Sequence, residues 1–449
     1  MLTEAGLLFK IIYKMDVLIP IETTAREALY KIYLSKLLAL QGVNSYLGTK
    51  NHILFLTQLF ANYVYLDKGY HHGTSEVIYK KIRKKNGKIV NLDEEGAIDF
   101  PESSILKSRY SKTLFKSSDH VFLWGESQFN LIKNNIEDLS KTTTTGHPRF
   151  ELLKNNFHVL YKTEVSKINK KYGKYILINT NMGFGNNLKG DEFVDSNYKS
   201  RFKNINEIIS FDKKKCESFI SLLIKLSKQY DGNIIFRPHP EENLNIYKEA
   251  FKGIENIKVL FEGSSIDWIL GCELMIHPDC STAIESTIMG KKAISFLPRN
   301  YNSSLVTKLP LDVSIGFTDE NTLIKYIINK SYENFQEQDK SIKKIIENYF
   351  SISKSSSTLI KNEIVNLFSK KLDFKNKISL KNYLFLLIFS LKLKLGDTKS
   401  HRLVRQKLQG IEYNNFKRLN LLVNRINPEF KKVRMKYISY GLYKFYTQK

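Results

Sequence analysis

The chain has 449 residues, 42% of them hydrophobic and 12% aromatic. This length and composition can bury more than one core and exclude a mainly disordered protein. Lysine and arginine number 70 against 45 aspartate and glutamate, so the net charge is +25. Such a basic excess is typical of a polyanionic partner: nucleic acid, a phosphorylated substrate or an anionic lipid surface. Residues 371–449 alone hold 19 basic and four acidic side chains, a net +15, so the tail needs its own explanation.

The cysteines and the N-terminus bear on the compartment. Cys216, Cys272 and Cys280 form no CxxC and have no paired histidines nearby, so neither a disulfide framework nor a zinc site is predicted. The start, MLTEAGLLFKIIYKMDVLIPIE, carries an early glutamate and a lysine in its apolar stretch, so no secretory signal is predicted, and Met15 is an alternative start. The tail's longest apolar run has nine residues, where a membrane span needs about 20. A cytoplasmic location is therefore predicted.

The first third of the chain alternates short apolar runs with amphipathic stretches. The first helix is predicted at residues 23–41. Strands are predicted at DVLIP (16–20), HILFL (52–56), YVYL (63–66), KIVNL (88–92) and HVFLW (120–124). Short apolar strands alternating with helices indicate a parallel sheet in a doubly wound α/β domain.

The pattern restarts after a lysine-rich stretch. Strands are predicted at KYILINTN (174–181), NIIFRPHP (233–240), KVLFE (258–262), LMIHPD (274–279) and KAISFLP (292–298), with helices at 216–229 and 342–368 and loops at 142–145 and 351–357. This predicts two Rossmann-like domains, residues 1–165 and 166–370, and a basic helical tail, residues 371–449. Two such doubly wound domains facing across a cleft form the GT-B architecture, in which ligands lie beyond the carboxyl ends of the strands.

The RPHP segment directly follows a predicted strand. Its two prolines block a helix, so His239 is held at the carboxyl end of that strand, where an imidazole can bind a phosphate. A turn with an ordinary surface histidine is the simpler interpretation of this dipeptide taken alone. The functional interpretation therefore depends on a second segment in the same domain.

That second segment is CSTAIEST (280–287), which follows the predicted strand LMIHPD. Ser281 or Thr282 is a natural N-cap, and the first turn of a helix binds anions through backbone N–H groups. Glu285 lies on the same helix face as Ser281, where a carboxylate can accept hydrogen bonds from ribose hydroxyls. A capping box between Thr282 and Glu285 accounts for the same residues without a ligand. RPHP and CSTAIEST occupy equivalent strand ends of one domain, so together they favour a binding site.

An acidic loop follows the predicted strand KIVNL. Asp93, Glu94 and Glu95 thus lie at the carboxyl end of a strand in the first domain. A carboxylate there can deprotonate an acceptor hydroxyl, or attack an anomeric carbon in a two-step retaining mechanism. A solvated loop is the commoner explanation of such a run.

Three charged residues follow other strands of the first domain. Arg26 can bind a sugar carboxylate in bidentate fashion and Lys68 can bind one as a point charge, while Glu22 stands four residues before Arg26. A helical i,i+4 ion pair of Glu22 with Arg26 is an equally good interpretation. In the second domain, a polar run that ends a strand fits either ligand approach or a loop: Asn179, Thr180 and Asn181.

Several of these segments resemble the bacterial surface carbohydrate biosynthesis family. They are NTNMGFGN (179–186), RPHP, residues 267–298, IPIETTAREAL (19–29), NLDEEG (91–96), WGESQ (124–128) and TGHPRFELL (145–153). The match covers about residues 15–300 in the right order and is similar, more distantly, to capsule and O-antigen transferases of nonulosonic acids. The resemblance implies a GT-B glycosyltransferase that takes a CMP-activated acidic sugar (Kdo, pseudaminic or sialic-like) and adds it to a surface glycan on a lipid-linked acceptor.

The resemblance also implies roles for individual residues. His239, Ser281 and Thr282 would contact the CMP phosphate, with Glu285 near the nucleotide. Glu95 is the first candidate for catalysis and Glu94 the second, with His239 also counted as catalytic. The remaining donor-binding candidates are Arg237, Pro240, Asn179, Thr180 and Asn181.

The donor preference has one independent support in the sequence. No Asp-x-Asp is present, and a histidine with a helix N-terminus can neutralise a single phosphate without a metal ion. A nucleotide diphosphate can also be handled without metal, so the CMP-sugar is a preference. No cofactor and no metal are expected.

The tail contains KNYLFLLIFSLKLKL (381–395), which resembles an interfacial membrane segment attracted to anionic lipid. A helix packed on the enzyme, with a solvated basic face, is the competing interpretation. No nucleic-acid signature is found, so no nucleic-acid partner is expected. The prediction is a glycosyltransferase peripheral on the inner face of the cytoplasmic membrane. The alternatives are a UDP-sugar transferase, a 2-epimerase-like enzyme, or a non-enzymatic protein that binds polyanions or membranes.

Overall fold

A computed structural model of the chain describes residues 16–96, 104–199, 202, 204–334, 336–368, 376–396, 398 and 404–448. The predicted alternative start at Met15 lies outside these residues. The described residues form two compact units. Unit 1 comprises the described part of residues 1–96 together with Lys107–Leu152 and Ser353–Lys449, and unit 2 comprises chiefly Leu153–Ile352.

This division differs from the predicted domains at both ends of unit 2. The chain enters unit 2 after Leu152 and returns to unit 1 at Ser353, so the C-terminal residues belong to unit 1 and form no separate tail. The predicted boundary near residue 165 falls inside a helix, Lys162–Tyr172. This lysine-rich helix has no buried residue, so its sequence shows no apolar face.

The strands within the described residues are β1 (Asp16–Ile21), β2 (Asn44–Thr49), β3 (Tyr63–Asp67), β4 (Lys88–Leu92), β5 (His120–Leu123), β6 (Thr142–Thr144), β7 (Tyr175–Asn179), β8 (Asn233–Arg237), β9 (Ile257–Val259), β10 (Leu274–His277), β11 (Ala293–Phe296), β12 (Ile315–Phe317), β13 (Val433–Ser439) and β14 (Leu442–Thr447). The central strands of both sheets are apolar and buried along their whole length, as parallel sheets covered on both faces require.

The helices within the same residues are α1 (Thr24–Leu40), α2 (Lys50–Leu59), α3 (Thr74–Arg83), α4 (Ser104–Arg109), α5 (Lys112–Ser117), α6 (Glu126–Ile132), α7 (Pro148–Glu151), α8 (Lys162–Tyr172), α9 (Asp191–Tyr198), α10 (Ile205–Ser227), α11 (Leu244–Ala250), α12 (Ser265–Gly271), α13 (Thr282–Ile288), α14 (Lys308–Asp312), α15 (Glu320–Ile328), α16 (Gln336–Phe350), α17 (Ser356–Asn366), α18 (Leu380–Leu395) and α19 (Tyr413–Val423). Among them, none is long and apolar enough to cross a bilayer.

The unit 1 sheet has the strand order β13-β14-β2-β1-β3-β4-β5-β6. Strands β1 to β6 are parallel, and β14 pairs antiparallel with both β2 and β13. Parallel neighbours place their carboxyl ends at one edge of the sheet. The loops that follow β1, β3 and β4 therefore meet there.

The unit 2 sheet is wholly parallel in the order β12-β11-β10-β7-β8-β9. Its first strand, β7, lies between β8 and β10, so the order in which the chain adds strands to the sheet switches from one side of β7 to the other. Helices α10 and α15 pack on it through Phe219 and Leu323, in one core with Ile176 and Phe236. This is a Rossmann-like sheet, in which the switch point is the usual place for a ligand.

One predicted strand is wrong. HILFL forms part of helix α2, and the strand of this region is β2, whose sequence NSYLGT was not singled out. A short apolar run is ambiguous between a buried strand and a buried helix. Here Thr49 decides the outcome, because its side chain accepts a hydrogen bond from the His52 N–H and caps α2. The predicted loop at residues 142–145 is mostly the edge strand β6.

The prediction of a helical tail is correct only in part. Helices α18 and α19 are present, but β13 and β14 form a hairpin that extends the unit 1 sheet. Without β14, strand β2 would present an unpaired edge. The alternating burial of β13, with Arg434 and Lys436 exposed, is the pattern of a charged sheet edge.

Candidate functional site

In unit 1, the predicted charged residues meet at the carboxyl edge of the sheet. Glu22 follows β1, Lys68 follows β3, and Asp93 to Glu95 follow β4. Strand β3 pairs with both β1 and β4. Neighbouring strands are about 4.8 Å apart, so these loops lie close together.

A buried ion cluster lies beneath this edge. The Lys31 ammonium is 2.6 Å from Glu27 Oε2, 3.1 Å from Glu94 Oε1 and 2.7 Å from the carbonyl oxygen of Pro20. Glu27 Oε1 also accepts from the backbone N–H of Thr23 and from the Lys68 ammonium. All three charged side chains, Glu27, Lys31 and Glu94, are at most 3% exposed. Lysine in such a place is stable only when its partners stay ionised.

Glu94 is enclosed in this cluster. The Tyr30 hydroxyl donates to its Oε1 atom, and His147 Nε2 lies 3.7 Å from its Oε2 atom. Burial acts to raise the pKa of Glu94, but Lys31 and Tyr30 outweigh it, so the pKa lies below its ordinary value. Burial holds the pKa of His147 well below its usual range, which keeps the imidazole neutral. Glu94 is thus an ionised structural anchor with little access for a substrate.

Glu95, the first candidate for catalysis, is in a different setting. Its carboxylate is 59% exposed, 2.9 Å from Arg109 Nη1 and 3.6 Å from Arg26 Nη2. Burial of part of the group is outweighed by Arg109, so the pKa of Glu95 is lowered. Asp93 accepts a hydrogen bond from the Glu95 backbone N–H and pairs with Arg109, and burial raises its pKa to about 6. Asp93 therefore orients the loop, and Glu95 is the accessible, ionised carboxylate of the three.

The predicted sugar-carboxylate ligands are not equivalent. Glu22 pairs with Lys50 at 2.7 Å and with Lys68 at 3.0 Å, so the ion pairs seen among the described residues differ from the predicted i,i+4 pair with Arg26. Lys68 is 13% exposed and shared between two glutamates. Arg26 is 46% exposed. Of the two cations, Arg26 is the better placed to meet a ligand.

Two histidines that the sequence did not single out follow β3. His71 and His72 are exposed, and His72 Nδ1 lies 2.9 Å from Glu76. Partial burial and the charges of Arg109 and Lys50 lower the pKa of His71, so its imidazole is neutral near pH 7. The doublet HHG at the end of an apolar run was the available signal for these residues.

In unit 2, the predicted donor-binding residues follow three adjacent strands. Asn179 of β7 pairs in register with Arg237 of β8, and Ile178 pairs with Ile276 of β10. The carboxyl ends of these strands are therefore level. The loops after β8 and β10 begin about 10 Å apart, with the β7 loop between them.

Glu242, which the sequence did not single out, joins two of these loops. Its Oε1 atom accepts hydrogen bonds from the Thr180 hydroxyl at 2.7 Å and from the backbone N–H groups of Met182 and His239, both at 3.0 Å. Its Oε2 atom accepts from the Tyr247 hydroxyl at 2.5 Å. The side chain is buried, and burial raises its pKa. Thr180 thus supports the loop, because its hydroxyl already donates to Glu242.

His239 projects from the loop that Glu242 holds. It is exposed, and its Nδ1 accepts from the backbone N–H of Glu241 at 3.3 Å, so Nε2 carries the hydrogen in the neutral ring. A Cβ placed on Gly183 would lie 3.8 Å from the same Nδ1, so the β7 and β8 loops touch. His239 therefore offers a hydrogen-bond donor at the switch point. Pro240, beside it, is exposed.

The asparagines connect the β7 loop with the β10 loop. Asn179 Nδ2 donates to Thr282 Oγ1 at 3.2 Å, and Asn181 Nδ2 donates to the Asp279 carbonyl at 3.3 Å. The Oδ1 atoms of both side chains are buried and accept no hydrogen bond from any described residue. Buried amide oxygens of this kind are suited to ligand hydroxyl or amino donors.

Ser281 and Thr282 start helix α13, as predicted, but not as caps. Ser281 is exposed, occupies the N-cap position with helical backbone angles and makes no side-chain cap bond. The Thr282 hydroxyl donates to Cys280 Sγ at 3.2 Å instead of joining a capping box. Glu285 is half-buried one turn later. The Ser281 hydroxyl is thus accessible at the same edge as His239.

A second buried ion cluster fixes the β10 loop. The Lys215 ammonium is 2.8 Å from Asp212 and 3.1 Å from Asp279. The Asp279 carboxylate also accepts from the backbone N–H of Thr307. Burial opposes the charge, but the two carboxylates raise the pKa of Lys215, so it stays protonated.

Arg237 is buried and binds backbone groups of unit 2. Its guanidinium is 7% exposed and donates to the carbonyl oxygens of Glu262 and Gly263 at 3.1 and 3.2 Å. It also lies over the Phe261 and Trp268 rings, and burial lowers its pKa to about 10. Arg237 therefore fixes the loop after β9, and its contact with a donor phosphate stays a prediction.

A cavity of about 470 Å³ lies beside this edge, between α10 and the loop after β11. No residue of this cavity was singled out from the sequence. It is lined by Asn206, Glu207, Ser210, Phe211, Lys214, Pro298, Arg299, Asn300, Tyr301, Asn302 and Leu305. Its aromatic rings, amides and two cations give it the mixed character of a small-molecule pocket.

No protein-family model and no curated protein matches the chain. Among solved structures, it is similar to a protein assigned as a UDP-N-acetylglucosamine 2-epimerase from Listeria monocytogenes, with 14% identity, TM-score 0.50 and coverage of 82% of this chain and 100% of that one. It is also similar to the Neisseria meningitidis UDP-GlcNAc 2-epimerase (13%, TM-score 0.49, coverage 79% and 100%) and to the wall teichoic acid polymerase TagF (13%, TM-score 0.42, coverage 69% and 73%). The likeness to the Listeria protein shows the fold, and the predicted α/β fold of the GT-B type is confirmed.

Proposed function

We propose that the protein is a carbohydrate-active enzyme of surface glycan synthesis, a glycosyltransferase that moves a nonulosonic acid from a CMP-sugar to a lipid-linked glycan acceptor. The observation that carries the proposal is the convergence of His239, Ser281 and two asparagines at the switch point of unit 2, on loops held by Glu242 and by the Lys215 ion cluster. Imidazole, hydroxyl and amide groups are the ligands that a nucleotide and its phosphate need.

The charges at this edge support a donor with one phosphate. Arg237 donates to two backbone carbonyls, and Lys215 is neutralised by two carboxylates. Two accessible donors on these loops, His239 and Ser281, suit the single phosphate of CMP better than a diphosphate. The proposal includes no metal ion and no further cofactor.

In the proposed chemistry, Glu95 activates the acceptor hydroxyl. As a base, its carboxylate takes the proton of the acceptor hydroxyl while that oxygen bonds to the anomeric carbon. The bond between the anomeric carbon and the CMP phosphate oxygen breaks, and CMP leaves with the electron pair. His239 and Ser281 stabilise the charge on the departing phosphate by hydrogen bonds. Arg26 pairs with the carboxylate of the acidic sugar.

A UDP-sugar transferase or 2-epimerase is the second candidate. The likeness to the Listeria fold covers that chain completely, and Lys214 and Arg299 line the cavity beside the switch point. Lys214, together with Arg299, which also pairs with Asp319, would bind a second phosphate there. The enzyme would then release UDP, or interconvert a UDP-sugar with its epimer.

One assay separates these candidates. The full-length protein is incubated with CMP-Kdo, CMP-sialic acid, CMP-pseudaminic acid and UDP-N-acetylglucosamine, and the release of CMP or UDP is measured with and without a glycan acceptor. We expect CMP release, lowered at least tenfold by His239→Ala and unchanged by the control Asp231→Ala at the opposite end of β8. Turnover of the UDP-sugar alone would overturn the donor assignment.

The cellular location of the enzyme is also part of the proposal. We place it on the inner face of the cytoplasmic membrane as a peripheral protein, because a lipid-linked acceptor stays in the bilayer. A non-enzymatic polyanion-binding protein would instead bind lipid or nucleic acid in a salt-sensitive way without any nucleotide release.

A further inference from the structure

Helix α18 has an unusual surface for a helix that belongs to a compact unit. Six of its apolar side chains are more than half exposed: Leu380, Leu384, Phe385, Ile388, Leu391 and Leu395. Leu380, Leu384, Ile388, Leu391 and Leu395 recur every three or four residues, so they form a continuous stripe on one face of the helix, with Phe385 at its border. Exposed apolar surface of this extent marks an interaction site.

The opposite face of α18 is fixed on unit 1. Leu386, Ser390 and Leu393 are buried, and the Ser390 hydroxyl accepts from His52 Nε2 at 3.0 Å and donates to the Tyr440 carbonyl at 3.2 Å. The ring of Phe385 stacks on Phe55 of α2 at 4.8 Å between centroids. The stripe is therefore held outward by packing on α2 and on the β13–β14 turn.

Among the described residues of α18 and β13, every charged side chain is basic. Lys381, Lys392 and Lys394 are exposed on the helix, whose sequence contains no acidic residue. Strand β13 contacts α18 and exposes Arg434 and Lys436 beside it. An apolar stripe bordered by lysine and arginine is complementary to a bilayer surface that carries anionic head groups.

We infer that the exposed stripe of α18 is a binding surface for anionic phospholipid, with the helix lying in the plane of the membrane. At 1.5 Å per residue, its 16 residues extend over about 24 Å, less than the roughly 30 Å hydrocarbon core, and its lysines reach the head groups from the sides. A second copy of the chain fits less well, because a two-fold contact would bring the lysines of the two stripes together. This inference rests on the proposed membrane location and names the surface responsible.

Vesicle flotation with the full-length protein tests the inference. We expect binding to vesicles of phosphatidylglycerol and phosphatidylcholine, and much weaker binding to phosphatidylcholine alone. Leu384→Glu/Ile388→Glu should weaken binding at least tenfold, and each of Lys381→Glu and Lys392→Glu should weaken it about fivefold or more. The matched control, Val77→Glu/Leu139→Glu, changes two equally exposed apolar residues of unit 1 and should bind like the wild type.

Other outcomes overturn the inference. The inference is wrong if the wild type does not float with anionic vesicles, or if the stripe variants float as well as the wild type does. A wild-type dimer that the stripe variants convert to a monomer, without vesicle binding, assigns the stripe to a second copy. Circular dichroism and the melting temperature verify that the variants fold. CMP release from the free donor is measured in parallel, because vesicle binding without turnover contradicts the proposed transferase and leaves the lipid surface intact.

Discussion

The carboxyl edges of the two sheets hold charge in different ways. In unit 1, the edge is crowded with ionised side chains, and Lys31 and Lys68 neutralise buried glutamates within a few ångströms. In unit 2, the accessible groups are an imidazole and a hydroxyl beside two amides whose oxygens are buried, and Lys215 is neutralised by two buried carboxylates. One edge is thus suited to moving a proton, and the other to recognising a polar ligand by hydrogen bonds. The following changes test that contrast.

The largest expected effect is on turnover. Glu95→Gln removes the accessible carboxylate of unit 1, so we expect kcat to fall by about 10²- to 10⁴-fold. The melting temperature should hardly move, because the side chain is 59% exposed. The control is Glu137→Gln, which replaces another exposed carboxylate paired with a cation and should leave kcat unchanged. If Glu95→Gln kept the wild-type kcat, Glu95 would not be the base and the unit 1 edge would have no role in proton transfer.

The next effect concerns the buried cations. Lys31→Met leaves Glu27 and Glu94 without their shared cation, and Lys215→Met does the same to Asp212 and Asp279. Breaking a buried pair costs about 3–5 kcal/mol of unfolding free energy, so both variants should unfold at clearly lower urea concentration. Lys167→Met, which breaks an exposed i,i+3 pair, should change the unfolding free energy by less than about 1 kcal/mol. A small effect at Lys31 would mean that the cluster tolerates an uncompensated charge.

The third effect depends on pH. Burial lowers the pKa of His277 in unit 2 to about 4, and that of His52 in unit 1 to about 4, from 6.5. The unfolded chain therefore binds these protons first. The free energy of unfolding is therefore unaffected by these histidines above pH 6.5. It falls by about 3 kcal/mol per histidine as the pH drops from 6.5 towards 4.

Urea unfolding at a series of pH values measures this loss. In His277→Gln, the loss of unfolding free energy on acidification should be smaller by about 3 kcal/mol, and the losses due to His52 and to other buried histidines such as His147 should remain. His277 Nε2 lies 2.8 Å from Ser314 Oγ and its Nδ1 accepts from the Cys280 N–H, so protonation disturbs the β10 loop. An unchanged slope in this variant would show that the imidazole does not titrate in this range.

The smallest effect is expected in donor binding. Ser281→Ala removes one exposed hydroxyl from the unit 2 edge, and a net hydrogen bond is worth about 0.5–1.5 kcal/mol. The dissociation constant of CMP, measured by calorimetry, should rise by about two- to tenfold, and kcat with saturating donor should stay the same. A loss of kcat without a change in CMP affinity would mean that Ser281 acts in the chemical step and not in binding. The unit 2 edge would then not serve recognition alone.

The fold could be predicted from the sequence where strands are buried on both faces. KYILINTN, NIIFRPHP and LMIHPD contain β7, β8 and β10, because continuous apolar runs ending in polar residues are typical of central parallel strands. The failures lie at the margin of the sheets. Strand β2, NSYLGT, is too polar to stand out, and β13 (VRMKYIS) and β14 (LYKFYT) lie in a tail that composition marked only as basic.

The candidate site could be predicted only as far as the loops. RPHP and CSTAIEST lie at the carboxyl ends of two strands of one sheet, as predicted, because that follows from local order along the chain. The residues that organise the loops could not be found this way. Glu242 gains its role from contacts with Thr180 and Tyr247, and Lys31 from contact with Glu94, 63 residues away in the sequence. Such long-range pairs exist only once the sheet has formed.

The pairing of β14 with β2 has a consequence for synthesis on the ribosome. Strand β2 emerges among the first 50 residues, but its antiparallel neighbour, Leu442–Thr447, is made almost 400 residues later. Unit 2 consists chiefly of one uninterrupted stretch and can fold before this hairpin is made, whereas unit 1 can complete its sheet only after Leu442–Thr447 has been made. Nascent chains that stall within this final hairpin should therefore carry an open β2 edge, a ready target for chaperones.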